Sequence, residues 1–230
     1  MSSELRIFVP IAIRATINSL IPRLETASGL SVTQLIDLNP AIPERISAGE
    51  AYDIGLTNSS YAKALISAGH ADGASHHSFG RVPLAVGRKA GTENRISKDL
   101  KGIKALFHEA ESIAYTGAGT SGRTYVEVME QLGLTNAIVP KSQAMGGGEP
   151  VASVAAGETE LAVAPLTTVL ATPGIVPAAI FPEELGANID MSIFLSTTPQ
   201  TGAATALAFL TADELNDELA AAGILRFELN

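Results

Sequence analysis

Short apolar segments alternate with amphipathic helical ones along nearly the whole chain, and this alternation narrows the fold more than any other feature. Such repetition packs as mainly parallel sheets with helices laid across them, an α/β architecture. Residues 5–11 read as the first strand. The helix that follows carries Ile13, Ile17, Leu20, Ile21 and Leu24 on one face. Pro22 is expected to kink it and Gly29 to cap its end. Residues 31–38 and 52–57 read as strands, 40–49 and 59–69 as helices, and 81–86 as a strand after a polar loop holding His76 and His77. The pattern then restarts. Ser97 is expected to cap a helix bearing Leu100, Ile103 and Phe107. A strand at 112–116, a helix at 121–132 and a short strand at 137–140 come next. A helix is expected up to Gly157, then strands at 161–165, 175–180 and 191–196, and helices over 200–222. The two halves are alike in architecture and not in sequence.

A chain of 230 residues can fill two cores of this kind, and 46% apolar with 17% charged residues marks a folded chain rather than a disordered one. A net charge of −9 with no Lys/Arg cluster speaks against nucleic acid as a partner. It leaves room for a small anionic ligand, because a few arginines and helix N-termini set the local field. The lack of cysteine removes disulfides, thiolate zinc sites and cysteine nucleophiles. No run of about 18 apolar residues is present, so no membrane insertion is expected. The chain opens Met1-Ser2-Ser3-Glu4 without a basic n-region or A-x-A site. As it stands this predicts a cytoplasmic protein, or a periplasmic one if a leader has been removed.

Two glycine-rich turns carry the chemistry. Gly117-Ala118-Gly119-Thr120-Ser121-Gly122 matches G-x-G-x-x-G between a strand and a helix. A dinucleotide site would need an acidic residue about 20 residues on. That stretch reads Ile138-Val139-Pro140-Lys141-Ser142-Gln143, with no carboxylate. Two readings stay open: an ordinary tight turn into a helix, and an anion site built from backbone N–H groups, the helix dipole and the Thr120 and Ser121 hydroxyls. The second turn, Gly146-Gly147-Gly148-Glu149-Pro150, also leads into a helix, with Pro150 suited to its first turn.

The order of these pieces resembles the type II periplasmic solute-binding proteins, in the molybdate-binding-protein-like group. The matching stretches include Leu5-Arg6-Ile7-Phe8-Val9, Ala48-Gly49-Glu50-Ala51-Tyr52-Asp53, Ser112-Ile113-Ala114-Tyr115-Thr116, Gly122-Arg123-Thr124-Tyr125 and Phe181-Pro182-Glu183-Glu184-Leu185. Within that group Ala41-Ile42-Pro43-Glu44-Arg45-Ile46-Ser47-Ala48-Gly49 and Glu149-Pro150-Val151 look closest to an aconitate isomerase-like subgroup. The resemblance implies two lobes with a ligand cleft between them, residues 1–81 plus 195–230 forming one lobe and 82–194 the other. It places ligand contacts on Ile11, Ala12, Arg14, Asn39, Pro40, Asn58, Ser59, Arg81, Thr116, Gly119, Thr120, Ser121, Gly122, Gly147, Pro165 and Thr167. Serine or threonine is expected in the first two loops of a molybdate binder, and here they read Pro10-Ile11-Ala12-Ile13 and Leu38-Asn39-Pro40-Ala41. That change points to a carboxylate in place of a tetrahedral oxyanion.

A di- or tricarboxylate calls for guanidinium forks, and Arg14, Arg81 and Arg123 are the candidates. An allylic proton shift needs a base, for which Glu149, His77 and His76 are the candidates. His76-His77 lacks further ligands at metal spacing, so neither a metal nor a cofactor is expected. Three readings follow: an isomerase of an unsaturated carboxylic acid, a solute-binding protein serving an ABC permease if exported, and a ligand sensor.

Overall fold

The structure is a computed structural model and describes residues 4–91, 96–97 and 99–229. Strand β1 (Glu4–Pro10) leads through a 3-10 turn into helix α1 (Arg14–Ser28). Then come β2 (Ser31–Asp37), α2 (Ala41–Ser47), β3 (Ile54–Asn58), α3 (Ser59–Ser67) and the long β4 (His77–Lys89). They are followed by α4 (Leu100–Glu109), β5 (Ile113–Thr116), α5 (Thr120–Gln131), α6 (Thr135–Ile138), β6 (Ser142–Met145), α7 (Glu149–Ala156) and β7 (Leu161–Pro165). The chain closes with α8 (Leu166–Ala171), β8 (Ile175–Ile180), β9 (Asn188–Leu195), α9 (Ala203–Thr211) and α10 (Asn216–Ala221). The α/β class read from the sequence is the class observed.

Contacts divide the chain into two units, Met1–Arg81 with Asp190–Asn230, and Val82–Ile189. Strands β4 and β9 carry the chain across these boundaries. In the first unit β1 pairs in parallel with β2 and β3, and β9 runs antiparallel to β3. The central β3 is buried along its whole length, as a strand covered on both faces must be. Phe8, Ile42, Ile46, Tyr52, Leu65 and Phe194 fill the core on one side. Phe194 lies over Gly55, where any Cβ would meet its ring at 2.4 Å. In the second unit β5 pairs in parallel with β6 and β7, and β4 runs antiparallel to β7 and β8. Its core gathers Val151, Val154, Leu166, Val169 and Ile175.

Several local expectations need correction. Helix α1 continues through Pro22, and Gly29 ends it in the left-handed conformation, φ 71°. Helix α4 is capped by Asp99, whose carboxylate accepts from the Gly102 N–H at 2.7 Å. Ser97 instead pairs its backbone with Ala178 and Ile180. The strand expected at 137–140 is a helical turn followed by a 3-10 turn, and the strand lies at Ser142–Met145. Helix α8 went unread, because Leu166–Ala171 has only six residues and follows β7 with no loop between them.

Candidate functional site

In open α/β sheets, ligand contacts gather at the carboxyl ends of parallel strands. Within the first unit these ends bring together most of the residues singled out there. Pro10 lies opposite Asp37 in the register of β1 and β2, so the loops holding Ile11, Ala12, Asn39 and Pro40 start side by side. Strand β3 ends at Asn58, and α3 begins at Ser59. Asn39 is buried and bonded to its neighbours: its Oδ1 accepts from Thr57 Oγ1 at 2.9 Å and from the Asn58 N–H at 3.2 Å, and its Nδ2 donates to Asn58 Oδ1. Ser59 donates to the Asp190 carbonyl at 3.2 Å and accepts from Ser192 at 2.9 Å. Arg14 opens α1, is exposed, and makes no ion pair among the described residues.

Arg81 has a partner within its own unit. Its Nε and Nη2 donate to the two carboxylate oxygens of Asp190 at 2.7 and 2.9 Å, and its guanidinium lies over the Phe227 ring, 5.4 Å from the centroid. The fork expected to meet a ligand carboxylate meets this aspartate. Asp190 was missed in the sequence, although an acid between Ile189 and Met191 in an apolar strand must find a partner. Thr57 was missed as well, and nothing in the sequence separates it from an ordinary β-branched strand residue.

In the second unit the three strand ends of β6, β5 and β7 are neighbours. Thr116 stands opposite Met145, and the Gly117 N–H donates to the Met145 carbonyl at 2.9 Å, so the two glycine-rich turns lie side by side. Pro165 ends β7, and Thr167 lies buried in the first turn of α8. Helix α5 starts at Thr120 after Gly119 with no side chain capping its N–H groups. Thr116 and Ser121 are 6% and 9% exposed. Gly122 lets this turn sit against the strand: a Cβ there would be 1.7 Å from the Thr116 carbonyl oxygen. Arg123 is exposed.

The bases proposed from the sequence sit elsewhere or are occupied. Glu149 is exposed, and its carboxylate accepts from the Gly146 N–H at 2.6 Å. It closes its own loop, in which Gly147 stands between Gly146 and the left-handed Gly148, φ 82°. His77 lines a cavity of about 380 Å³ together with Thr211, Asp213, Asn216, Arg226 and Glu228, away from the strand-end loops. His76 is half-buried, and its Nε2 is buried without a partner. Burial, then the charges of Lys63 and His77, hold its imidazole below the usual histidine range. An imidazole depressed in the folded state binds its proton more readily in the unfolded chain, so stability falls as pH drops through about 6.5. The melting temperature is therefore expected to fall between pH 7 and pH 5, and His76→Leu to flatten that fall. Equal slopes for the two proteins would remove His76 as the cause.

Among the described residues no cluster of His, Asp or Glu could hold a metal ion, and no helix is long and apolar enough to cross a membrane.

Comparison with known proteins gives this geometry a family. The aconitate isomerase of a Pseudomonas species is 25% identical over 178 residues, covering 75% of this chain and 68% of that protein. The periplasmic molybdate-binding protein of Azotobacter vinelandii superposes with a TM-score of 0.81 at 15% identity, over 97% of this chain and 100% of that one. The sulfate-binding protein SubI of Mycobacterium tuberculosis does so with a TM-score of 0.75 at 16% identity, over 96% and 86%. At such identities the two structures speak for the fold, and it is the α/β binding-protein fold the sequence resembled. The model of the bacterial extracellular solute-binding proteins matches residues 5–225, and the chain belongs to that family.

Proposed function

We propose that this solute-binding protein takes a small organic carboxylate. The observation that carries an anionic ligand is the start of α5, where the hydroxyl residues Thr116 and Ser121 adjoin a helix N-terminus whose N-cap, Gly119, has no side chain to cap it. An anion there accepts from both hydroxyls as well as from the helix N–H groups. Three things favour a carboxylate over a tetrahedral oxyanion. Residues 11–13 are Ile-Ala-Ile and offer no hydroxyl. Arg14, with no ion pair among the described residues, stands at the start of α1, where a cation gains nothing from the helix dipole. The Pseudomonas relative is named for a tricarboxylate. An ABC permease is the partner that family membership suggests.

Isomerisation is the second reading, favoured by the likeness to that relative. It requires a base to take a proton from one carbon of an allylic system and return it at the other end. With Glu149 bonded to Gly146 and His77 in a separate cavity, binding without turnover is the reading we prefer.

A thermal-shift screen against citrate, cis- and trans-aconitate, molybdate, tungstate and sulfate tests this. A ligand at 100 times its Kd adds about 2.7 kcal/mol, or roughly 5–10 °C in a chain of this size. Stabilisation by a carboxylate and by none of the inorganic anions is the expected result. Stabilisation by molybdate or tungstate alone would overturn the carboxylate assignment. Incubation with trans-aconitate, followed by ultraviolet absorbance, is expected to show no turnover; conversion to the cis isomer would make the second reading the function.

A further inference from the structure

We infer that Glu149 selects ligands by charge: its carboxylate, fixed on the turn beside the start of α5, disfavours anions the more strongly the more charges they carry. The inference rests on the anion-binding reading above and concerns the second unit alone. Glu149 is the one ionisable side chain in the two glycine-rich turns, residues 116–122 and 145–150. Those turns are joined where the Gly117 N–H donates to the Met145 carbonyl at 2.9 Å. One residue on, the Gly146 N–H donates to Glu149 Oε2 at 2.6 Å, and the Glu149 N–H donates back to the Gly146 carbonyl at 3.3 Å. A Cβ on Gly146 would lie 2.9 Å from the Glu149 carboxyl carbon and 3.0 Å from each of its oxygens. The glycine is therefore what lets the carboxylate lie on the turn. Glu149 also opens α7, where the helix dipole favours a negative charge.

A carboxylate held in this way keeps its charge next to the neighbouring turn. Adjacent strands are about 4.8 Å apart, so an anion at the start of α5 lies within about 5–10 Å of it. Glu149 is exposed, so the repulsion acts through water. At that separation it weakens binding roughly two- to fourfold for each charge on the ligand. Small acids with few ionised groups are then preferred over multiply charged ones.

The test is isothermal titration of the full chain with molybdate, a dianion, and trans-aconitate, which has three carboxylates. Glu149→Gln keeps an oxygen for the Gly146 N–H and removes the charge, while Arg123 and the helix dipoles stay as they are. At about 20 mM salt it is expected to tighten molybdate about fourfold and trans-aconitate about tenfold. In about 0.5 M sodium chloride both gains should shrink to twofold or less. A purely structural role for Glu149 gives weaker or unchanged binding at either salt. Unchanged or weaker binding in Glu149→Gln at low salt overturns the inference, as does a gain that persists at high salt. Should that variant fail to fold, Glu149→Ala is read in its place, on the salt-dependent part of the gain. If neither wild type nor variant binds any anion of the screen, the anion-binding reading fails and the charge selection with it.

Discussion

Gly122→Ala is expected to destabilise the protein by about 3 kcal/mol or more and to abolish ligand binding with it. Two effects compete at this position, and their magnitudes decide the sign. Gly122 lies in the first turn of α5, where alanine is the better helix former by about 1 kcal/mol. Propensity alone therefore predicts a more stable protein. Against it stands the Cβ, which would lie 1.7 Å from the Thr116 carbonyl oxygen and 2.8 Å from its carbonyl carbon. That is backbone, which cannot rotate aside as a side-chain end can. Helix α5 would have to lift from the end of β5, taking Ser121 and Tyr125 out of their buried places. The same lift would separate the Thr116 hydroxyl from the helix N-terminus, so the site goes with the packing. A chain of this size should lose roughly 6–12 °C in melting temperature. A melting temperature equal to or above wild type would mean that propensity wins and that the close approach of α5 to β5 is not needed.

This glycine also shows what the sequence could reveal. The spacing of Gly117, Gly119 and Gly122 between a strand and a helix marked a tight turn, while the packing of α5 against Thr116, which leaves no room for a Cβ at Gly122, came only with the structure. The alternation of strands and helices was equally legible, because central strands such as β3 must be apolar throughout. The misreadings have a common cause. Strand β6 is an edge strand with two exposed residues, so Ser142–Met145 carries no apolar signature. The apolar 137–139, which does, turned out to be helical and left Val139 exposed. Side-chain pairing was legible only in part. An arginine at the start of α1 could be flagged, but that Arg81 would be claimed by Asp190, 109 residues away, depends on the register of β4 and β9. Glu149 likewise reads as a free acid until its own loop folds back on it.

The second large effect is expected at Arg226, outside any ligand role. Arg226→Met should lower stability by about 3–4 kcal/mol. The half-buried guanidinium donates from Nε to Asn216 Oδ1 at 2.9 Å, from Nη1 to the Phe79 carbonyl at 2.6 Å, and from Nη2 to the Leu210 and Ala212 carbonyls at 3.2 Å each. It also lies over the Phe79 ring, 5.6 Å from the centroid. Among the described residues no carboxylate forms an ion pair with it, and burial pushes its pKa down, while Asp213 acts in the opposite direction. Arginine remains charged under such pressure because its ordinary value is so high. The cation thus sits at the end of α9, where the last carbonyls and the helix dipole favour it. Methionine fills similar volume but leaves those carbonyls without donors. Arg226→Lys keeps the charge, reaches fewer acceptors, and should fall between methionine and wild type. Salt distinguishes this account from an ion pair. With neutral acceptors as its partners, the loss in Arg226→Met should be the same at low salt and in 1 M sodium chloride, because screening acts on paired charges. A loss that shrinks by half or more at high salt would assign the stabilisation to Asp213 or another acid and overturn the role of the carbonyls.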